Sequence, residues 1–248
     1  MWIIGHRGAA GTAPENTLLS ITRALNFSVD WIEIDIRMVD NTIILLHDEN
    51  LDRTTNGSGS VYDYGLAALR TLDAGNGEKI PLLTEVLNLI DAKAGINIEI
   101  KQRGFVQEIL KLVRVFTEHQ PDWRNRIMLS SFIPEVMSDL KELDLAGCVV
   151  GSLCEDTAED QLRLATDLGA YSVNISFEHL SESLVEGAHK KGLKVLVYTV
   201  NDTVAIHRCH ELSVDGIFTD FPERTIAFLS NLPMISRRQP RLIGRVAD

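Results

Sequence analysis

Residues 171–199, YSVNISFEHLSESLVEGAHKKGLKVLVYT, decide the fold class, because they contain a complete strand–helix–strand unit. The runs 171–175 and 194–199 are short, largely apolar and bounded by turn residues, which predicts two buried strands. The segment between them has the start, spacing and end of a helix over 181–191. Two buried strands joined by a helix are typical of a parallel sheet.

The same alternation continues outward from this unit over nearly the whole chain. The predicted strands are 2–5, 31–36, 96–101, 127–131, 148–152, 171–175, 194–199 and 215–218. The predicted helices are about 15–27, 82–92, 105–119, 134–145, 157–169, 181–191, 202–212 and 222–230. Eight strand–helix units predict an α/β fold, a (β/α)₈ TIM barrel with its active site at the carboxyl ends of the strands. An open doubly wound sheet is the structural alternative, but the sequence lacks the G-x-G-x-x-G turn usual there.

Composition limits the classes of partner. The chain has 24 Lys plus Arg against 35 Asp plus Glu, a net charge of −11, which repels nucleic acid and anionic membrane surfaces. Cys148, Cys154 and Cys209 have no metal-binding or redox spacing, and we interpret them as small hydrophobic residues in a reducing compartment. No segment resembles a signal peptide or a membrane span, so we expect a cytoplasmic protein without stable membrane insertion. The oligomeric state is not indicated.

Two segments interrupt the alternation. Residues 41–48, NTIILLHD, follow the second strand too closely for a crossover helix, which predicts an antiparallel hairpin. A three-residue loop around Asp40 and Asn41 would place Asp35 opposite His47. Residues 48–80 lack sustained periodicity, and we expect a small insertion that caps the barrel mouth. The domain is therefore expected to cover 1–231, followed by a basic, partly disordered tail over 232–248.

Three acidic residues are predicted to meet at one end of the barrel. Glu33 and Asp35 are two positions apart on one strand and therefore share a face, and Glu99 lies on the next barrel strand. Three such carboxylates repel one another unless a cation neutralises them, and all-oxygen ligands suit Mg²⁺ or Ca²⁺. The sequence therefore predicts one divalent cation at these three residues. The alternative is that each acid forms a buried ion pair with Arg7, Arg37 or Lys101.

Histidines and cations surround the same strand ends. His6 follows the first strand and His47 ends the hairpin strand, and imidazole has the pKa range for acid–base catalysis near neutral pH. Arg7 and Lys101 offer fixed positive charge to a phosphate. A metal, two histidines and two cations together indicate displacement at phosphorus.

The order of these motifs resembles that of the glycerophosphodiester phosphodiesterase family. The resemblance runs from His6 to about Pro222 and is carried by GHRG, PENT, EIDIR, HD with LDRTTNGSG, IEIK, LSSF, VYTVN and DGIFTDFP. It implies a phospholipase-C-like barrel that hydrolyses glycerophosphodiesters to glycerol 3-phosphate and an alcohol. The small-molecule substrate would carry choline, ethanolamine or glycerol, with broad tolerance.

The resemblance also implies roles for individual residues. His6 and His47 resemble the family's acid–base pair, and Arg7 and Lys101 resemble its phosphate contacts. The positions that resemble its divalent-metal ligands are Glu33, Asp35 and Glu99. Tyr198 and Phe132 are candidates for the glycerol pocket, with a place in the core as the alternative. Glu15 and Asn16 are expected to organise the loop after the first strand, and Asp220 to cap the last helix.

Three other functions are weighed against this one. A lysophospholipase D acting on glycerol-based lysolipids would use the same groups and would be favoured by an exposed apolar rim on residues 48–80. A non-catalytic phosphodiester-binding barrel would be expected to have lost a histidine or a carboxylate, and all are present here. A metal-dependent sugar isomerase would spread its carboxylates over more strands and leaves the HR and HD pairs unexplained.

Overall fold

The computed structural model describes residues 1–153 and 157–231. Within them the strands are Trp2–Gly5 (β1), Trp31–Val39 (β2), Thr42–Leu45 (β3), Gly95–Ile100 (β4), Ile127–Ser131 (β5), Val149–Leu153 (β6), Ser172–Ser176 (β7), Lys194–Tyr198 (β8) and Gly216–Thr219 (β9). The α-helices are Leu18–Asn26 (α1), Leu66–Leu69 (α2), Leu83–Ile90 (α3), Val106–His119 (α4), Pro134–Glu142 (α5), Ala158–Asp167 (α6), Glu182–Lys190 (α7), Thr203–Glu211 (α8) and Pro222–Ser230 (α9). The expectations for Cys154 and for the tail 232–248 fall outside the described residues.

The parallel strands close into a barrel. The hydrogen-bonded order runs β1-β9-β8-β7-β6-β5-β4-β2, and β1 also pairs with β2. These eight strands alternate with helices, which confirms the predicted (β/α)₈ TIM barrel. The remaining strand, β3, pairs antiparallel with β2 and is not one of the eight parallel barrel strands. Because β1 pairs with β9, the first and last strands of the barrel are neighbours.

The hairpin register differs from the predicted one by one residue. Arg37 pairs with Ile44 and Val39 with Thr42, so the turn contains only Asp40 and Asn41. Both have positive φ, 48° and 57°, as a two-residue type I′ turn requires. The prediction that Asp35 lies opposite His47 is therefore wrong. The amide of Leu46 donates to the Asp35 carbonyl over 3.1 Å, and His47 follows one position later.

Alternation along the strands separates the core from the site. Ile32, Ile34 and Ile36 of β2 are fully buried and belong to one cluster with helix residues such as Leu83 and Leu87. The neighbouring positions of β2 therefore face the barrel interior. A separate apolar cluster fills one part of the barrel interior. Its buried members are Ile4, Trp31, Met128, Leu196 and Phe218. Polar strand residues consequently collect at the other end.

Residues 48–80 have a small core of their own. A 3₁₀ turn at Val61–Asp63 and the short helix α2 bring Leu51, Val61 and Leu69 together, all fully buried. Arg53 joins this segment to the β1–α1 loop through Glu15, with Nη1–Oε2 at 2.7 Å. The predicted capping role of the segment stays a prediction.

Helix α1 begins later than predicted, at Leu18. Thr17 is its N-cap and its side chain accepts from the Ser20 amide, which satisfies one of the free donors of the first turn. Asn16 has a φ of 55°, outside the helical range. The preceding loop is thus free to hold polar side chains against the barrel. None of the helices in the described residues combines the length and the apolar composition needed to span a membrane.

Gly8→Ala is expected to destabilise the fold by about 2–5 kcal/mol, from left-handed backbone cost plus overpacking. Gly8 has a φ of +87°, and an added Cβ would lie 2.4 Å from Ser20 Oγ and 2.6 Å from the Ser20 carbonyl carbon. Gly192→Ala is the matched control, because its φ is +77° but nothing lies within 4 Å of the added Cβ. Its cost should be about 1–2 kcal/mol. Urea unfolding of both variants measures the difference, and equal losses would contradict the steric argument.

Candidate active site

Three carboxylates meet at the open end of the barrel. Glu33 and Asp35 project from β2, and Glu99 from the neighbouring β4, where it is the register partner of Asp35. One oxygen of each lies within 4.8 Å of the others. Glu33 Oε1 and Asp35 Oδ1 are buried without a hydrogen-bond partner among the described residues. Carboxylate oxygens from three residues around a common point fit a hard divalent cation such as Mg²⁺ or Ca²⁺.

The carboxylates differ in their affinity for protons. Burial and the charge of Asp35 raise the pKa of Glu33 to about 8, and the same two causes raise the pKa of Glu99. Burial would also raise the pKa of Asp35, but the charges of Lys101 and Arg7 outweigh it and hold that pKa below its ordinary value. The cluster therefore carries unfavourable negative charge that a cation would neutralise.

The predicted phosphate contacts lie against this cluster. Arg7 Nε is 3.2 Å from Asp35 Oδ2, and the Arg7 amide donates to Glu33 Oε2 over 2.8 Å. Lys101 Nζ is 2.5 Å from Glu99 Oε1 and 3.4 Å from Asp35 Oδ1. The alternative of buried ion pairs thus describes part of the site. Two cations do not balance three acids, and Glu33 Oε1 has no hydrogen-bond partner among the described residues.

His6 is held by residues from the far end of the chain. Its Nδ1 is 2.7 Å from Asp220 Oδ1, and its Nε2 is 4.0 Å from Glu33 Oε2. Asn201 Nδ2 donates to the other oxygen of Asp220 over 2.6 Å. Burial works against a charged imidazole, but the bond to Asp220 and the charge of Glu33 outweigh it and raise the pKa of His6. The expectation that Asp220 caps the last helix is wrong, because the N-cap of α9 is Phe221.

His47 is also held by a carboxylate, but its pKa is shifted in the opposite direction from that of His6. Its Nδ1 is 2.6 Å from Asp48 Oδ1, and Arg53 Nε is 2.6 Å from Asp48 Oδ2. Burial, aided by the charges of Lys101 and Arg7, lowers the pKa of His47. His6 thus holds a proton more readily than an ordinary imidazole, and His47 holds one less readily. An acid–base pair needs such a difference in pKa.

Glu15 and Asn16 position groups of the site, as expected of the loop after β1. Asn16 Nδ2 donates to Asp35 Oδ2 over 2.8 Å, and the Asp35 amide donates back to Asn16 Oδ1 over 3.1 Å. Glu15 accepts from Arg7 Nη1 over 2.7 Å and also from Arg53. These bonds hold the guanidinium of Arg7 against the carboxylates.

The two candidate glycerol-pocket residues contact each other. The rings of Phe132 and Tyr198 pack edge to face with centroids 6.0 Å apart, and both side chains are half-buried. Lys101 Nζ lies 5.9 Å from the centroid of Phe132. The aromatic pair therefore lies between the charged cluster and the core, because Tyr198 also packs edge to face on the buried Phe218 with centroids 6.4 Å apart.

Four supporting residues were not predicted. They are Asp48, Arg53, Asn201 and Asp220. Each lies inside a quoted motif, so its presence was visible. The pairing of Asp220 with His6 was not visible, because 214 residues separate them in the chain, whereas Asp48 is the direct neighbour of its partner His47.

Asp220→Asn is expected to lower kcat by up to about 10⁴-fold, because a carboxylate that orients an acid–base histidine contributes this much. Loss of its negative charge also lowers the pKa of His6, so the limb of the pH–rate profile that His6 contributes should move to lower pH. Asp144→Asn is the control, since Asp144 pairs with Arg114 on the surface. A variant with normal kcat and an unmoved profile would contradict this role.

A (β/α)₈ barrel with this set of acids, histidines and cations at its strand ends defines the class of barrel phosphodiesterases. The family model described as "Glycerophosphoryl diester phosphodiesterase family" matches residues 6–224. The chain therefore belongs to that family and is an enzyme, a phosphoric diester hydrolase.

Individual relatives agree with this membership. The glycerophosphodiester phosphodiesterase of Caldanaerobacter subterraneus is 34% identical, covering 90% of this chain and 96% of its own. That of Bacillus subtilis is 30% identical, covering 89% and 83%. A phosphodiesterase of Oleispira antarctica, solved in complex with the product sn-glycerol-3-phosphate, superposes with a TM-score of 0.83 at 30% identity, covering 93% of this chain and 97% of its own.

Proposed function

We propose that this enzyme hydrolyses glycerophosphodiesters to glycerol 3-phosphate and an alcohol, with a divalent cation and two histidines. The observation that carries the proposal is the cluster of Glu33, Asp35 and Glu99, in which Glu33 lies 4.0 Å from His6 and keeps one oxygen without a hydrogen bond among the described residues. The Oleispira relative, bound to sn-glycerol-3-phosphate, agrees with a small-molecule substrate of this kind.

The three carboxylates would hold one Mg²⁺ or Ca²⁺ ion. Such an ion offsets negative charge that develops on the phosphoryl oxygens. Arg7 and Lys101 add fixed positive charge at the same place, and Asn16 keeps Asp35 oriented toward it. The glycerol end would lie against Phe132 and Tyr198, which offer apolar ring surface beside Lys101.

The two histidines would exchange protons with the substrate. One deprotonates the nucleophile, which is the glycerol 2-hydroxyl of the substrate, and the other protonates the leaving alcohol. Water then opens the resulting cyclic phosphate with the two roles reversed. The opposite pKa displacements of His6 and His47 fit such a division of labour.

For the organisation of the protein we keep the arrangement expected from the sequence. We propose one catalytic domain over 1–231, with 48–80 as an insertion at the barrel mouth, in a cytoplasmic enzyme. The bonds from Arg53 to Glu15 and Asp48 fit that position, because both acceptors lie beside site residues.

The lysophospholipase D alternative is less favoured. Of the described residues in 48–80, only Tyr62 is a large hydrophobic residue with substantial exposure, at 42%. A lysolipid chain needs a continuous apolar surface, which a single tyrosine does not supply.

The proposal is tested by stripping the purified protein with chelator and offering glycerophosphocholine. Release of glycerol 3-phosphate should be absent after stripping and should return when Mg²⁺, Ca²⁺ or Mn²⁺ is added. Failure to release glycerol 3-phosphate from glycerophosphocholine with every ion would overturn the proposed reaction, and release of choline from lysophosphatidylcholine alone would support the lysophospholipase D alternative instead.

A further inference from the structure

A surface cavity of about 430 Å³, widely open to solvent, adjoins the carboxylate cluster through Lys101. Glu49 and Tyr62, both within the insertion 48–80, contribute to its lining. Lys101 and Arg103 of the β4–α4 loop contribute as well. Lys101 belongs to both places, because its Nζ contacts Glu99 and Asp35. A phosphodiester held at the cluster would therefore have one of its two arms at this cavity.

The cavity differs in chemistry from the aromatic pair Phe132 and Tyr198. Its remaining lining includes Arg37 and Gln102, so most of its side chains are charged or polar. Such a surface suits the alcohol half of the substrate, where headgroups differ in charge. The volume is sufficient for a small headgroup.

Arg37 gives the cavity an unbalanced positive charge. The residue is only 8% exposed, yet its guanidinium donates to neutral acceptors, the carbonyl of His47, the carbonyl of Lys101 and the hydroxyl of Tyr62. Its Nε is buried without a hydrogen-bond partner among residues 1–153 and 157–231. Because Arg37 lines the cavity and has no carboxylate partner in the described part of the chain, its positive charge favours an anionic ligand there.

The other charges of the cavity are partly compensated. The charge of Lys101 faces the carboxylate cluster, and Arg103 Nη1 lies 3.0 Å from Glu135 Oε1, where both side chains are exposed. Arg103 is therefore able to exchange a solvent-exposed partner for a ligand at small cost. Glu49 is the one acidic residue that the described part of the chain contributes to the lining.

We propose that this cavity binds the leaving alcohol and favours an alcohol that carries both a carboxylate and an ammonium group, as serine does. The carboxylate would lie toward Arg103 on the positive side formed with Arg37, and the ammonium toward Glu49. The inference rests on the proposed phosphodiesterase function and adds a preference for the headgroup.

Glycerophosphoserine and glycerophosphoethanolamine provide the test, because they differ only in the headgroup carboxylate. Both share the glycerophosphate half, so the ratio of their kcat/KM values reports the headgroup alone. We expect the wild-type ratio to favour the serine substrate by about 3- to 10-fold and Arg103→Gln to reduce that ratio to about 1. Glu135→Gln, which frees Arg103, should raise the ratio.

Arg114→Gln is the matched control. Arg114 is likewise an exposed arginine 3.0 Å from a carboxylate, that of Asp144, but it lies on α4 away from the cavity. Its ratio should equal the wild-type value. Turnover of both substrates with a wild-type ratio of 1, or with a ratio unchanged in Arg103→Gln, would overturn the headgroup inference alone. No turnover of either substrate would overturn the proposed function as well.

Discussion

Replacing either His6 or His47 by alanine is expected to lower kcat by about 10²–10⁴-fold, the usual contribution of a positioned acid or base. The reason is that each imidazole is fixed by its own carboxylate, Asp220 or Asp48, at the edge of the same cluster. The double variant should lose little more than the worse single variant, because the two residues act as a unit. Steady-state release of glycerol 3-phosphate measures the loss.

His207→Ala controls for the loss of an imidazole as such. His207 is 52% exposed on α8 and pairs only with Glu211 of the same helix among the described residues. Its turnover should match the wild type. Thermal unfolding of all variants separates a catalytic loss from a folding defect. Near-normal turnover in both His6→Ala and His47→Ala would sink the acid–base assignment.

Glu33→Gln is expected to abolish turnover and the response to metal while leaving the metal-free fold at least as stable as the wild type. Glu33 is 2% exposed and shares the site with two other carboxylates, so a neutral isostere removes repulsion. It also removes one of three ligands. We expect a loss of more than about 10²-fold in kcat.

Thermal unfolding gives a readout of the same variant that does not depend on activity. Wild-type protein should gain about 2.7 kcal/mol at an ion concentration of 100 Kd, because the ion binds the folded state. Glu33→Gln should gain much less, whereas Glu142→Gln, an exposed change on α5, should respond like the wild type. A full metal response in Glu33→Gln would remove Glu33 from the ligand set.

Much of the site can be predicted from the spacing of its residues in the sequence, because side chains alternate between the two faces of a strand. Glu33 and Asp35 had to share a face, and Glu99 had to lie beside Asp35 once β4 was recognised as the neighbour of β2. The pairing of Phe132 with Tyr198 was not readable in that way. Those residues follow or end strands β5 and β8, which are separated by two other strands in the ring, and only closure of the barrel brings their rings together.

The length of the turn in the β2–β3 hairpin could not be predicted from the sequence. A two-residue turn at Asp40 and Asn41 and a three-residue loop are both compatible with those residue types, yet they differ by one residue in register. In the observed register Ile44 and Leu46 are buried in the core of the insertion, so the choice also involves packing of β3 against that core. That packing is a tertiary property.

By itself, the sequence determined the eightfold alternation, the barrel and the acids, histidines and cations at the strand ends, because these depend on periods of two and 3.6 residues within short segments. The tertiary structure alone decided which distant groups are partners. Asp220 holds His6 because β9 lies beside β1, and Arg37 lacks a carboxylate partner in the described chain because its neighbours there are carbonyls and a tyrosine hydroxyl. Such contacts depend on closure of the ring, and no local spacing encodes them.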